Sequence, residues 1–234
     1  MPRLFSLALL PACILLAYIY HMDTIEKEPL RLLLRLFLLG GLCAVPASIL
    51  ERIGMALLAP YRGTWRYAAL EAFCVVAVAE EGCKLAVLRS TWHDPAFDYR
   101  FDAIVYAVCV SLGFAVVENL GYVYRYGFSA GILRAFTSVP GHCFFGVFMG
   151  YWFGSAKYCR FYGFSDGRRQ LLCTALVPML LHGFYDFCCF MSGNPIFVVA
   201  FYVFLPIFFY FSIRCVRKAS ACDVPVQRNN FYDL

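Results

Sequence analysis

Seven apolar runs, each about 20 residues long, leave this chain little choice of fold. They are Leu4–Tyr20, Leu32–Leu50, Tyr67–Leu88, Asp102–Tyr124, Leu133–Phe153, Leu171–Phe190 and Ile196–Ile213. A helix of that length and character crosses the hydrocarbon core of a bilayer. The linkers between the runs are too short to hold a soluble domain. Composition agrees: 62% of the chain is hydrophobic and 15% is charged, against about a quarter charged in soluble domains. The runs are continuously apolar, whereas barrel strands alternate apolar and polar residues, which argues against a β-barrel. The expectation is an all-α polytopic helical bundle of about seven transmembrane helices. It forms a single membrane-embedded domain over residues 1–234, with a motif-bearing core at 67–190 and a short, polar, frayed tail at 214–234.

The basic residues follow the loops rather than forming a nucleic-acid patch. With seven spans, Lys27, Arg31, Arg89, Arg100, Lys157, Arg160, Arg168, Arg169, Arg214, Arg217, Lys218 and Arg228 collect on one side. Arg3, Arg52, Arg62, Arg66, Arg125 and Arg134 collect on the other. The richer side is expected to be cytoplasmic, which places the N-terminus outside and the C-terminus in the cytoplasm. Arg3 opposes this, since a basic start favours an inside N-terminus. The first run also has the form of a signal peptide but lacks a clear small-x-small cleavage site, so it is read as a retained span. The twelve cysteines include no C-x-x-C, and most lie in apolar runs. They are read as small hydrophobes. The terminal Asn-Phe-Tyr-Asp-Leu is not a prenylation box.

The costly residues lie inside the runs. Glu80 and Glu81 stand side by side in the third span, and each ionised acid at bilayer depth costs roughly 2.5–3.5 kcal/mol on insertion scales. Lys84 lies four residues after Glu80, so the two share a helix face, while Glu81 is turned about 100° away. The plain reading of Lys84 is a cytoplasmic-end residue that snorkels beside Arg89. That reading does not account for two acids in tandem. The fourth span carries Glu118-Asn119 beside a stripe of small residues, Ala103, Ala107, Ser111 and Ala115, which lets another helix approach. Its plain reading is an acid at the outer interface. The fifth span repeats His142, Gly146, Gly150 and Gly154 on one close-packing face. The sixth holds His182 and Asp186 four residues apart, so the acid can orient the imidazole. Alone, each histidine is more often a structural hydrogen-bonder than a ligand. Together, Glu80, Glu81, Glu118 and Asp186 outnumber Lys84 as their counter-charge, and that imbalance calls for shared protons or a bound cation.

These residues resemble the PrsW family of intramembrane proteases, distantly similar to the CAAX prenyl protease and bacteriocin-processing superfamily. Glu80-Glu81-Gly82-Cys83-Lys84 matches E-E-x-x-K. Phe101-Asp102, Tyr106, Gly113-Phe114-Ala115 and Glu118-Asn119 follow F-D-G-x-x-Y-G…G-F-A-x-x-E-N. His142, Gly146 and Gly150 fit H-x-x-x-G-x-x-x-G, and His182-Gly183, Asp186 and Phe187 fit H-G-x-x-D-F. Four ordered matches span Glu80 to Phe187, nearly half the chain. Ala103 and Ala107 stand where the family usually has glycine. The resemblance implies a peptidase that cuts a membrane-anchored protein; the bacterial namesake is linked to an anti-sigma factor in stress signalling. It also implies metalloprotease-like chemistry, while the CAAX relatives use a glutamate-activated water.

Peptide hydrolysis needs an activated water and stabilisation of the developing oxyanion. Glu80 or Glu81 is the expected base, with Glu81 favoured because Glu80 is better placed to pair with Lys84. His142 and His182 bind the oxyanion, donate a proton or ligate a metal. Lys84, Glu118, Asn119 and Asp186 support them. If a metal such as zinc is bound, Glu118, His142, His182 and Asp186 are its candidate ligands. No H-E-x-x-H is present, so ligands must come from several helices. The competing readings are an ion- or proton-coupled transporter and a non-catalytic scaffold. The protease reading requires the acids and histidines to converge on one cavity.

Overall fold

A computed structural model describes residues 2–227, with the side chains of 2–5, 7 and 8 undescribed. Arg3, Arg228 and the terminal pentapeptide therefore lie outside what can be placed. All seven expected spans are helical. Helix α1 is Pro2–Met22. The second run divides at Cys43 into α2 (Leu30–Leu42) and α3 (Ala44–Leu57). Pro46 sits in the first turn of α3, where its missing N–H costs nothing. The third run is α4 (Trp65–Leu70), a wide π-helical turn at Glu71–Val76, and α5 (Ala77–Leu88). Helix α6 is Asp102–Tyr126 and ends at Gly127, whose φ of 84° turns the chain into α7, Phe128–Phe136. Next come α8 (Ser138–Phe161) and α9 (Arg168–Phe190), the latter unbroken across Pro178. Last is α10 (Pro195–Ala221), opened by the Asn194 side chain accepting from the Ile196 amide at 3.0 Å. Five helical segments are long and apolar enough to cross a membrane: Leu30–Leu57, Asp102–Tyr126, Phe128–Phe161, Arg168–Phe190 and Pro195–Ala221.

The bundle is apolar outside as well as inside. Ile196, Val199, Tyr202, Val203, Ile207 and Phe211 all point outward from α10, as helices facing lipid do. Helix α6 is the axis. It is buried without interruption from Asp102 to Val116 and packs against α8, α2 and α1. The two small-residue stripes, each expected to admit another helix, meet each other. A Cβ added at Gly146 would strike Ala107 and Ser111, and one at Gly150 would strike the backbone of Ala103 and Ile104. Ala103, at a position where glycine is usual in the family, thus closes against a glycine on the facing helix.

The segment after α10 is not frayed through residue 227. The helix itself runs to Ala221, seven residues past the expected polar boundary at Arg214. Beyond it, the Arg100 amide donates to the Val224 carbonyl at 3.0 Å and the Val226 amide to the Asp98 carbonyl at 2.7 Å. These bonds surround an antiparallel pairing of Tyr99 with Pro225. Periodicity does not register such a contact, because its partners are more than 120 residues apart. Burial raises the carboxyl pKa values here, to about 6 for Asp23 and Asp223 and about 7 for Glu28.

Candidate active site

Helices α5, α6, α8 and α9 bring the polar residues of the spans to one place. Lys84 is fully buried, and its ammonium lies 2.8 Å from Glu81 Oε1, 3.3 Å from Glu80 Oε2 and 3.0 Å from His142 Nδ1. It also stands 4.1 Å above the Phe114 ring centroid. The snorkelling expected of Lys84 is therefore replaced by an internal position. The predicted division between the two glutamates changes too. Residues three apart on a helix are neighbours as well as residues four apart, and the long lysine stem reaches both acids, Glu81 more closely.

The two histidines are 5.3 Å apart between ring centroids. His182 Nδ1 meets Glu81 Oε1 at 2.8 Å, and its Nε2 meets Asp186 Oδ2 at 3.3 Å. Phe145 stacks on the His182 ring at 4.8 Å. His142 Nε2 meets Glu118 Oε2 at 2.8 Å. Glu118 does not sit alone at an interface: Arg134 NH2 pairs with it at 2.6 Å, and Arg134 Nε donates to Asn119 Oδ1 at 3.3 Å. Arg134 is absent from the predicted site. The signal for it was an arginine one residue inside the expected fifth span.

A cavity of about 590 Å³ opens beside these groups. Its wall includes Glu80, Glu118, Arg134, His142, His182 and Asp186, together with Glu51 and Glu71, which sequence reasoning also missed. Glu51 directly follows the second expected span, where an interface acid attracts no notice. Glu81, fully buried, is not part of that wall.

Among the described residues, Glu80, Glu81, His142 and His182 each offer a ligand atom, and all four atoms lie within 4.8 Å of one another. Two carboxylates and two imidazoles suit a first-row divalent ion such as zinc. Glu81 Oε2 is buried without a hydrogen-bond partner in the structure, and a bound ion is one way such an atom is satisfied. The donor set therefore fits the metal that the resemblance implies, with one condition. The Lys84 ammonium already touches three of the four donors, so an ion must share them with it or displace it. Glu118 and Asp186, expected as ligands, stand outside this group. Each is instead held against one histidine's Nε2.

The likeness extends well beyond these residues. Residues 28–211 match the family model described as PrsW family intramembrane metalloprotease. Among curated relatives, Protease PrsW of Geobacillus kaustophilus is 38% identical over 78% of this chain and 78% of its own. Protease PrsW of Shouchella clausii is 33% identical over 93% and 97%. That of Bacillus subtilis is 31% identical over 94% and 96%. No solved structure matches the chain. These relatives give no support to the transporter or scaffold readings. The chain, a multi-pass membrane protein with a buried Glu-Glu-His-His cluster beside a cavity, belongs to the PrsW family of intramembrane metalloproteases and is an intramembrane peptidase.

Proposed function

We propose that Glu80 is the general base and that Glu81, His142 and His182 hold a zinc ion, for hydrolysis of a membrane-anchored protein. The observation that carries this reading is the convergence of the four groups, drawn from three helices, within 4.8 Å beside the cavity. Glu80 lines the cavity and Glu81 does not, so a water beside a bound peptide is reached by Glu80. When bound, zinc would supply Lewis-acid polarisation of the scissile carbonyl and a more acidic water. Glu80 takes the proton from the water as its oxygen adds to the carbonyl carbon. It returns that proton to the departing amine as the C–N bond breaks, leaving a new carboxyl and a new amino terminus. Asp186 and Glu118 fix the two imidazoles through Nε2. Arg134 balances Glu118 and places positive charge on the cavity wall. Lys84 offsets the tandem acids.

The orientation we propose is N-terminus outside and C-terminus cytoplasmic, on the excess of basic loops at that side. The wall residues Tyr122, Arg125 and Tyr126 at the C-terminal end of α6 then put the cavity mouth on the outer side. The substrate class is a single-pass protein with an outward-facing segment, and an anti-sigma factor is one such protein. The test uses purified protein in liposomes with a single-pass substrate. Cleavage should stop after exhaustive metal removal and return with zinc. Persistent cleavage by protein shown to be metal-free would sink the zinc assignment. Activity of Glu80→Gln within tenfold of wild type would sink Glu80 as base.

A further inference from the structure

A second group of acids, two of them buried and one half-buried, lies at the other end of α6. Asp23 follows α1, Asp102 is the first residue of α6, and Asp223 follows α10. One carboxylate oxygen from each lies within 4.8 Å of the other two. Asp23 and Asp102 are each 1% exposed. Asp102 Oδ2 accepts from the amides of Asp98 at 3.0 Å and Tyr99 at 2.7 Å. Asp223 Oδ1 accepts from the amides of Phe101 and Val224, both at 2.9 Å. Those bonds fix the two carboxylates and occupy one oxygen of each. Asp23 Oδ2 is buried and has no hydrogen-bond partner in the structure. Glu28 adds another acid close by, held by the Tyr106 hydroxyl and by a side-chain hydrogen bond with Asp102.

The lysines in reach are engaged elsewhere. Lys27 Nζ donates to the carbonyls of Tyr20 and Asp23. Lys157 Nζ donates to the Phe97 carbonyl at 2.5 Å and to Gln227 Oε1 at 3.3 Å. Neither forms an ion pair with a carboxylate among the described residues. Three carboxylates thus converge with one orphaned oxygen and, among the described residues, no lysine or arginine ion-paired with them; retained protons or a bound cation offset such a cluster.

We propose that Asp23, Asp102 and Asp223 bind a hard divalent cation, magnesium or calcium, at a site separate from the peptidase centre. Its donors are all oxygens, the preference of those ions, whereas the imidazoles of the inner cluster favour zinc. Asp102 and Glu118 are sixteen residues apart on α6, about 24 Å along its axis. One ion cannot serve both. The cation joins three segments that are far apart in sequence: the exit of α1, the entry of α6 and residues 222–227. It is a structural clamp on the pairing of Tyr99 with Pro225.

The test uses the full chain in detergent, stripped with chelator and held at constant ionic strength, then titrated with magnesium chloride or calcium chloride alone. Thermal melting is followed for wild type, Glu81→Gln and Asp23→Asn. One of the two ions should raise Tm saturably in wild type, by about 5–10 °C at a hundredfold excess over Kd. Glu81→Gln should keep this gain, and Asp23→Asn should lose it. In chelator, Asp23→Asn should melt at or above the wild-type temperature, because it removes one like charge and no known hydrogen bond of Oδ2. Amide exchange at Phe101 and Val226 should slow when the ion is added to wild type. The proposal is overturned if neither ion has a saturable effect or if Asp23→Asn retains it. Loss of the effect in Glu81→Gln also overturns it, by assigning the ion to the inner centre.

Discussion

The two ends of α6 solve one electrostatic problem in different ways. At the inner cluster, Glu80, Glu81 and Glu118 are buried with their counter-charges in contact: Lys84, Arg134 and two histidines. At the other end, Asp23, Asp102 and Asp223 converge while Lys27 and Lys157 spend their donors on carbonyls and an amide. The first region is compensated by its own side chains, so it can stand assembled before any ligand arrives. Among the described residues, the second has no ion pair to a lysine or arginine. Where side chains complete the compensation, they also fix the geometry, which is what a catalytic centre requires. Where they do not, stability becomes dependent on what the solvent supplies.

This contrast can be broken or sharpened by experiment. Glu80→Gln, which keeps shape and removes the base, should lower kcat for a single-pass substrate by about 10²–10⁴ while leaving Tm within a few degrees. A large fall in Tm with intact kcat would make the inner acids structural instead. Gly150→Leu drives a side chain into the Ala103 and Ile104 backbone and should cost about 1–3 kcal/mol or more of stability. It should weaken both ends together, since α6 runs through both and α8 packs along it, and damage limited to one end would argue against a shared axis. Arg134→Gln leaves Glu118 without its guanidinium partner. A loss of about tenfold in kcat/KM is expected, and its recovery in Arg134→Lys would tie the effect to charge.

The smallest effect concerns acid. Asp23 and Asp223 have folded pKa values near 6, raised by burial, against about 3.9 for an unfolded aspartate. The folded chain therefore holds protons that the unfolded chain has released. In chelator, stability should fall as pH rises from about 4 to about 6 and level off above that. Asp23 faces Asp98, Asp223 and Glu26 against Lys27, so Asp23→Asn should shallow the slope. Melting curves of the two proteins across that range provide the comparison, and identical slopes would remove Asp23 from the account.

Much of this was legible in the sequence. Apolar run length set the helices, and four-residue spacing picked out the stripes by which α6 and α8 close together. The cost of ionised groups in a bilayer singled out Glu80, Glu81, Glu118, His142, His182 and Asp186, and all six reached one site. What was missed depended on contacts between distant segments. Arg134 and Glu51 lie at span ends, where a charge attracts no notice, yet helix packing turns both toward the cavity. Lys84 pairs with Glu80 as expected, but its stem also reaches Glu81, and more closely, which a one-helix argument did not show. Asp223 lay in a segment expected to fray, and only its bonds to the Phe101 and Val224 amides reveal it as fixed.

The π-helical turn at Glu71–Val76 has a consequence for how the helix bearing Glu80 and Glu81 is framed. Such a turn contains one residue more than the α-helical turn it replaces. The segment from Trp65 to Leu88 is in effect an α-helix carrying a single-residue insertion. Its Phe73 ring fills the space that a side chain at position 183 would need, which locks that insertion against α9 just beside His182. Deleting one residue from 71–76 would restore ordinary α-helical register and turn α4 by about 100° relative to Glu80. The orientation of the two halves of this helix is therefore encoded by a count of residues, so an alignment gap of one position here would report a change in the cavity wall that no substitution would reveal.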